Sequence, residues 1–162
     1  MPGPLVLIGF MGAGKSALGR RLAERRGVAF TDTDLVVEQR AGRPASDIFA
    51  EQGEAAFRQL ERDVVIEALG RGDDKVVALG GGAPLTPEVA QALTGHTVVW
   101  LDVSAATAWE RVRGSDRPLA KDETAFTVLH RERTAVYDRL ARAVLPPASL
   151  DTLAGADEAL RV

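Results

Sequence analysis

The amino-acid sequence predicts an α/β fold, in which a five-stranded parallel sheet lies between two layers of helices. Short apolar runs alternate with segments of helical periodicity along the chain, which is typical of β-α-β units joined by right-handed crossovers. The apolar runs are contiguous rather than alternating, as burial on both faces of a parallel sheet requires. The first run, residues 5–8, leads directly into a glycine-rich loop and a helical segment. These observations together predict a three-layer α/β/α domain.

The glycine-rich loop at residues 9–16 reads Gly-Phe-Met-Gly-Ala-Gly-Lys-Ser and matches the P-loop pattern G-x-x-x-x-G-K-[ST]. Its glycines allow successive backbone N–H groups to converge on phosphate oxygens at the N-terminus of the next helix. We expect Lys15 to reach the β- and γ-phosphates of a nucleotide and the Ser16 hydroxyl to bind Mg²⁺. The alternative is a simple turn between a strand and a helix. The strand before the loop and the helix after it favour the P-loop.

Composition restricts the class of protein. A chain of 162 residues suits a single domain that spans residues 1–162. The 20 basic and 23 acidic residues are nearly balanced, so we expect no nucleic-acid partner. The absence of cysteine fits a reducing compartment, so we expect a cytoplasmic protein. We also expect the protein to be a monomer. Residues 1–4 carry no basic charge, which argues against a signal peptide, and no apolar run is long enough for a membrane span.

The remaining elements follow from periodicity and from helix-start and helix-stop signals. Strands are predicted at 5–8, 28–31, 76–79, 97–101 and 149–152. Helices are predicted at 14–26, 35–40, 46–51, 53–69, 87–93, 104–111, 124–145 and 155–162, with Ser46 and Thr86 as caps. Residues 113–123 contain glycine, proline and three cationic side chains. They predict a mobile loop.

A P-loop enzyme usually has a second carboxylate directed at Mg²⁺, and the chain offers two candidates. Asp102 and Asp32 each follow an apolar strand. Asp102 lies beside the predicted N-cap Ser104, so it is equally well explained as a charge at a helix N-terminus. Asp32 is followed by a second acid, Asp34, and alternating side chains in an extended segment would let both acids face one cleft. A solvated loop or cap is the alternative for these two acids.

Three arginines form a second candidate group. Arg58 has Glu61 one helical turn later, close enough to orient the guanidinium. Arg117 lies in the polar loop, from which it could move onto a transferring phosphate, and Arg133 lies on the last long helix. Most of the 17 arginines must be surface charges, so composition alone does not single these three out.

A run of three glycines, residues 80–82, follows the third strand. Three in succession exceed what a turn needs and would let a ligand approach the backbone closely, although a plain turn is the alternative. His96 and His130 lack any partner pattern for metal binding or catalysis, and we interpret them as surface or packing residues.

Taken together, these motifs resemble the shikimate kinase family. The residues that carry the resemblance are 9–16, 32–34, 47–49, Gly53-Glu54, Phe57-Arg58, Glu61, 79–82, 117–119, Glu132-Arg133 and Tyr137. They occur in the family's order and span about residues 5–140. Among these motifs only the P-loop is specific by itself. The resemblance otherwise depends on the occurrence of all the motifs together.

The resemblance implies a nucleoside-monophosphate-kinase-like fold, with acceptor-binding helices at about 34–70 and a short lid at about 112–123. It implies transfer of the γ-phosphoryl group of ATP to the 3-hydroxyl of shikimate, on the pathway to chorismate and the aromatic amino acids. Asp34 would hold the attacking hydroxyl and accept its proton, while Lys15 and Arg117 would neutralise charge on the transferred group. Shikimate and ATP are thus the expected partners, with Mg²⁺ as cofactor.

The resemblance also implies the binding residues. Those for ATP are Gly12, Ala13, Gly14, Lys15, Ser16, Ala17 and Arg117. Those for shikimate are Asp34, Phe49, Phe57, Arg58, Gly80, Gly81, Gly82 and Arg133, with Arg58 and Arg133 on the carboxylate and the two phenylalanines against the ring. Ser16 and Asp32 would bind Mg²⁺.

Three features depart from the family pattern. Ala17 stands where many members have Ser or Thr, which removes a side-chain contact near the α-phosphate. The lid is short and leaves open whether Arg111 or Arg113 lies near adenine. The tail after Leu145, with its Pro146-Pro147 pair, fits the family poorly.

Two alternatives to the shikimate reaction stay open. A related P-loop kinase of another polyol acid, such as gluconate kinase, would keep the P-loop and change the acceptor. A nucleotide-dependent binding module without catalysis would need neither an acid at the acceptor site nor paired arginines. Asp34, Arg58 and Arg133 therefore favour an enzyme.

Overall fold

Five parallel strands form the central sheet of the computed structural model, which describes residues 3–115 and 117–145. The strands are β1 (Leu5–Ile8), β2 (Ala29–Asp32), β3 (Lys75–Ala78), β4 (Thr97–Leu101) and β5 (Ala143–Leu145). Their order across the sheet is β2-β3-β1-β4-β5. The predicted five-stranded parallel α/β fold is therefore confirmed.

The central strand β1 pairs with β3 on one side and β4 on the other, with Leu5 opposite both Val76 and Thr97. Every residue of β1 and β3 is buried, because helices cover both faces of the sheet. This explains why the strands appear in the sequence as contiguous apolar runs.

Seven α-helices connect and cover the strands in the described part of the chain. They are α1 (Lys15–Arg26), α2 (Thr33–Ala41), α3 (Ala45–Gln52), α4 (Glu54–Gly70), α5 (Pro87–Leu93), α6 (Ala105–Val112) and α7 (Glu123–Leu140), with a short 3₁₀ helix at Ala83–Leu85. Helix α1 ends at Gly27, as predicted, where a φ of 67° favours glycine. None of the helices in the described ranges is both long and apolar enough to cross a membrane.

Helices α2, α3 and α4 have a small apolar core of their own. Val37, Ile48, Phe57 and Val64 are buried together, and Phe49 packs against them. This cluster is separate from the main core around the sheet. It lets the three helices form a distinct wall beside the carboxyl ends of β2 and β3.

The structure corrects several predicted boundaries. Helix α3 begins at Ala45, and Ser46 does not cap it, because Pro44 occupies the N-cap position. Thr86 does occupy the N-cap position of α5, but its side chain makes no capping hydrogen bond. Helix α7 ends at Leu140 instead of Leu145.

The fifth strand also differs from the prediction. Residues 143–145 form β5 because they pair with β4, where Val99 lies opposite Ala143 and Leu101 opposite Leu145. Tertiary pairing with the exposed edge of β4 thus overrides the helical pattern. The predicted strand at 149–152 and helix at 155–162 lie outside the described residues.

Candidate active site

The candidate site lies where β1, β2 and β3 end. The P-loop follows β1, Asp32 ends β2, and residues 80–82, the glycine segment, follow β3. Ligands of open α/β sheets bind outside the carboxyl ends of the strands. Neighbouring parallel strands therefore bring together three motifs that are far apart in sequence.

The P-loop wraps tightly at the N-terminus of α1. Gly12 has a φ of 82°, and a Cβ there would come within 2.9 Å of the Ala108 carbonyl oxygen, so a side chain at this position is excluded. The Lys15 ammonium donates to the carbonyl oxygens of Gly9 at 2.8 Å and Phe10 at 3.0 Å. An ammonium group has three donors, so one proton is left to point at a phosphate.

The environment of Lys15 lowers its pKa to about 8. Burial is the main cause, and the carboxylates of Asp34 and Asp32 oppose it while Arg117 and Arg133 add to it. A buried ammonium is poorly solvated. The phosphates of a bound nucleotide would supply the negative charge that this cation lacks.

Asp32 joins the P-loop to the acceptor wall. Its Oδ2 accepts a hydrogen bond from the Ser16 hydroxyl. Its Oδ1 caps α2 by accepting from the backbone N–H of Asp34 at 3.0 Å and of Leu35 at 3.4 Å. Both the carboxylate and the hydroxyl are oxygen donors of the kind Mg²⁺ prefers, so the pair predicted for Mg²⁺ does meet.

Asp102, the other candidate, lies elsewhere. Its backbone N–H pairs with the carbonyl of Leu145 beyond β4, and neither cavity described below contains it. Ser104, two residues later, caps α6 by accepting from the N–H of Thr107. Asp102 is thus explained as a charge near a helix N-terminus, the alternative that its sequence context offered.

Two adjoining cavities meet at this site. One, the acceptor cavity, has a volume of about 510 Å³ and lies against α2, α3 and α4. The other, the phosphate cavity, has a volume of about 390 Å³ and lies over the P-loop. Five residues line both: Ser16, Asp32, Asp34, Gly81 and Arg117. A group bound in one cavity can therefore reach a group bound in the other at these side chains.

Arg58 is held in the acceptor cavity from several sides. Its guanidinium donates to Glu61 at 2.8 Å, and Glu54 lies 3.6 Å away. It also lies over the rings of Phe57 at 5.3 Å and Phe49 at 5.9 Å, where a cation is attracted by the ring face. The guanidinium is thus fixed in orientation before any ligand binds, as the spacing to Glu61 predicts.

Glu61 and Arg133 supply the most buried charges of the acceptor cavity. Their exposed fractions are 1% and 4%. Glu61 Oε2 and Arg133 Nε have no hydrogen-bond partner among the described residues. Burial raises the pKa of Glu61 and lowers the pKa of Arg133. Buried polar atoms are normally paired, so these two atoms leave the wall of the acceptor cavity with unused hydrogen-bonding capacity.

Charged side chains crowd the glycine segment at Gly80 and Gly82. A Cβ at Gly80 would come within 2.5 Å of Asp34 Oδ1 and 2.7 Å of Glu61 Oε2. A Cβ at Gly82 would come within 2.3 Å of the Arg58 guanidinium. The three successive glycines therefore let the charged groups of the acceptor cavity lie directly against the backbone.

Asp34 lies at the boundary of the two cavities. Burial raises its pKa, the neighbouring Asp32 carboxylate raises it further, and Lys15 lowers it. A carboxylate whose pKa is raised is a stronger proton acceptor than a free one.

The loop between α6 and α7 places one of its arginines over the site. Arg117 is exposed and lines both cavities. Arg111, at the end of α6, donates to the Gly12 carbonyl oxygen at 2.8 Å and lines the phosphate cavity. Arg113 instead pairs with Glu110 at 3.2 Å and lines neither cavity.

Every predicted site residue except Ala13 lines a cavity. Ala13 is buried, and its N–H donates to the carbonyl of Phe10 within the loop. The acceptor cavity also contains residues that sequence reasoning did not assign to the site: Met11, Leu35, Glu38, Pro44, Ala45, Ser46, Glu61, Pro118 and Leu119. In the sequence, Glu61 is indicated as a partner of Arg58, and Glu61, Pro118 and Leu119 belong to the family pattern. The others carry no chemical signal that would separate them from ordinary core or loop residues.

The fold and the site define a P-loop phosphotransferase that acts on a small molecule. The family model "Shikimate kinase" matches residues 11–161. Shikimate kinase from Mycobacterium avium (strain 104) is 49% identical over 140 residues, which cover 84% of this chain and 79% of the relative. The enzyme from Thermobifida fusca (strain YX) is 52% identical over 140 residues, with 84% and 80% covered. The chain therefore belongs to the shikimate kinase family.

Similar solved structures agree with this family assignment. A shikimate kinase from Acinetobacter baumannii in complex with shikimate has a TM-score of 0.88 and 31% identity, covering 98% of this chain and 89% of that one. A gluconokinase from Sinorhizobium meliloti 1021 has a TM-score of 0.59 and 20% identity, covering 98% and 90%, which shows a shared fold alone. The prediction of an ATP-dependent kinase that phosphorylates shikimate in aromatic amino acid biosynthesis is thereby confirmed, and gluconate is disfavoured.

Proposed function

We propose that phosphoryl transfer occurs where the two cavities meet, with Asp34 acting as the base on the 3-hydroxyl of shikimate. The observation that carries this assignment is that Asp34 lines both cavities with its carboxylate against Gly80, whereas Asp32, which also lines both, accepts a hydrogen bond from Ser16 of the P-loop. A group there can contact the acceptor hydroxyl and the transferred phosphoryl group together.

In the proposed reaction the 3-hydroxyl gives its proton to the Asp34 carboxylate as its oxygen forms a bond to the γ-phosphorus. The bond from that phosphorus to the β–γ bridging oxygen breaks, and its electron pair leaves with ADP. Negative charge on the transferred group is met by Lys15 from the P-loop and by Arg117 from the loop above. Both cations lie at the phosphate cavity.

The carboxylate of shikimate binds to Arg58 and Arg133 in this proposal. Arginine's planar fork matches a carboxylate with two parallel hydrogen bonds. Phe49 and Phe57, whose ring centroids are 4.6 Å apart, form the apolar wall for the ring of the substrate. The backbone of the glycine segment supports the face of the substrate ring that turns toward Asp34.

Ser16 and Asp32 would hold Mg²⁺, because their oxygens meet at the floor of the phosphate cavity. When bound, the ion would neutralise phosphate charge and orient the β- and γ-phosphates. The chain itself keeps the Asp32 carboxylate beside the Ser16 hydroxyl. The N-cap of α2 does this, because Asp32 Oδ1 accepts a hydrogen bond from the backbone N–H of Asp34.

A monomeric, cytoplasmic enzyme without nucleic-acid or membrane partners remains a prediction from the sequence. Size-exclusion chromatography with light scattering tests whether the enzyme is a monomer.

The function is tested by ADP release in a coupled assay with shikimate, gluconate or no acceptor. We expect release that depends on ATP, Mg²⁺ and shikimate, and no phosphorylation of a shikimate analogue that lacks the carboxylate. ADP release that is indifferent to shikimate, or equal turnover of the analogue, would contradict the proposal.

A further inference from the structure

The glycine segment is held by two buried hydroxyl groups that the proposed chemistry does not use. The Tyr137 hydroxyl donates to the Gly81 carbonyl oxygen at 2.6 Å. The backbone N–H of Gly80 donates to the Thr33 hydroxyl at 3.3 Å. Both side chains have an exposed fraction of 0%. Neither can therefore contact a ligand in the cavities directly.

Each hydroxyl belongs to a helix that also carries a side chain proposed to bind the substrate. Thr33 precedes Asp34 at the start of α2, and Tyr137 lies one turn after Arg133 on α7. A side chain at Gly80 would meet Asp34 Oδ1 at 2.5 Å, and one at Gly81 would meet Arg133 Nη1 at 3.4 Å. The same short segment thus lies between the proposed base and one of the carboxylate-binding arginines.

The segment needs such support because three glycines in succession have much conformational freedom to lose. Tyr137 is itself fixed against the sheet, where its ring packs 6.2 Å from that of Trp100 on β4. Burial raises the pKa of Tyr137, which keeps the hydroxyl protonated and able to donate at any physiological pH.

We infer that Thr33 and Tyr137 are positioning residues for the acceptor: they fix the glycine segment in register with Asp34 on one side and Arg133 on the other. Without them the segment would move relative to both groups, and shikimate would lose the preformed backbone face against which it binds. Binding of ATP would change much less, because Lys15 and Ser16 belong to the P-loop itself and Gly81 is the one glycine of the segment that also lines the phosphate cavity. This inference rests on the proposed function, since it assigns the segment to the acceptor.

The test compares KM for shikimate with KM for ATP in Tyr137→Phe and Thr33→Val. A typical hydrogen bond contributes about 0.5–1.5 kcal/mol, so we expect KM for shikimate to rise roughly 2- to 10-fold. KM for ATP should change less than about twofold. The Thr33→Ser variant keeps the hydroxyl and should keep most of the wild-type KM. The Thr127→Val variant removes an exposed hydroxyl that bonds to Glu123 on the same helix as Tyr137, and it should change neither constant.

Hydrogen exchange supplies a readout that does not depend on turnover. Amides of residues 79–85 should exchange faster in Tyr137→Phe and Thr33→Val than in the wild type, and at the wild-type rate in Thr127→Val. This measurement also separates the two proposals. Failure of the proposed function would leave the wild type without shikimate-dependent turnover but would not alter the exchange pattern.

Two results would overturn the inference. One is an equal rise in both KM values in the hydroxyl-deleted variants, which would indicate a general structural defect. The other is unchanged KM for shikimate together with unchanged exchange at residues 79–85. If Tyr137→Phe does not fold, as judged by circular dichroism and thermal unfolding, the comparison of Thr33→Val with Thr33→Ser decides the question.

Discussion

The backbone N–H of Asp34 donates to Oδ1 of Asp32 at 3.0 Å, so the two acids at the end of β2 are joined by a helix cap. Their other contacts differ. Asp32 Oδ2 meets the Ser16 hydroxyl, whereas the carboxylate of Asp34 lies against Gly80. This difference is the basis for the proposal that Asp32 is directed at the metal and Asp34 at the substrate.

The first prediction separates these roles by a Mg²⁺ titration. In Asp32→Asn the remaining side-chain oxygen can still cap α2, so the fold should survive while Mg²⁺ binding weakens, and added Mg²⁺ should restore much of the rate. Asp34→Asn removes a proton acceptor, and kcat should fall by about 10²–10⁴ whatever the Mg²⁺ concentration. The measurement is kcat for both variants at saturating ATP and shikimate. Recovery of Asp34→Asn by Mg²⁺ would show that the roles are reversed.

The second prediction concerns the two arginines of the acceptor cavity. Arg58→Lys and Arg133→Lys keep the positive charge but lose the two-pronged geometry, which should cost about 1.5–3 kcal/mol each. KM for shikimate should therefore rise roughly 10- to 150-fold, with little change in KM for ATP. Arg62→Lys is the matched control on α4, because Arg62 pairs with Asp63 and Glu88 away from the cavity. Equal rises in KM for both substrates would place the arginines elsewhere in the mechanism.

The third prediction uses the crowding at Gly82. Its φ of −92° and ψ of −11° suit any residue, so Gly82→Ala should fold. The added methyl group would overlap the Arg58 guanidinium, and the flexible arginine must move away. KM for shikimate should rise roughly tenfold, consistent with the loss of one charge-assisted hydrogen bond. Gly95→Ala meets nothing within 4 Å and should leave KM unchanged; the same effect from both substitutions would rule out displacement of Arg58 as the cause.

The fourth prediction compares two arginines of one loop. Arg117 lines both cavities, whereas Arg113 pairs with Glu110. Arg117→Ala should lower kcat by roughly 10²–10³, the usual loss when a group that stabilises transition-state charge is removed. Arg113→Ala should change kcat less than about twofold, because an exposed pair contributes little. Similar losses in both variants would mean that the loop acts through its overall charge.

The fifth prediction follows from the pKa of Lys15, which burial lowers to about 8. Below that pH the ammonium form dominates and can bind phosphate; above it the neutral amine dominates. kcat/KM for ATP should therefore decline above about pH 8. A Lys15→Arg variant stays charged throughout, so its lower activity should lack this alkaline decline. Persistence of the decline in the arginine variant would assign it to another group.

Much of the active site is predictable because its signals are local. The P-loop is encoded within eight residues, and the acids at 32 and 34 follow a recognisable strand. Arg58 and Glu61 are one helical turn apart, so their ion pair follows from the periodicity of a helix. The resemblance to a family was needed for Arg133, whose sequence neighbours do not distinguish it from the other arginines.

The chain end shows where local signals mislead. Residues 141–145 continue a helical pattern, yet 143–145 form β5 because the free edge of β4 supplies backbone partners that a helix end lacks. Ser46 looks like a cap by residue type, but Pro44 two residues earlier already starts the helix. In both cases a neighbour outside the pattern decides the structure.

The sequence by itself determined the fold class, the P-loop and the types of residue that could bind a phosphate and a carboxylate, since these depend on composition and short spacing. Tertiary structure decided which of Asp32 and Asp102 meets Ser16, and which of Arg111 and Arg113 faces the P-loop. It also decided how Thr33 and Tyr137 hold a glycine segment that lies 47 and 56 residues away in the chain. The physical reason is that these contacts depend on the order of strands in the sheet and on the packing of helices against it, and no local pattern records either.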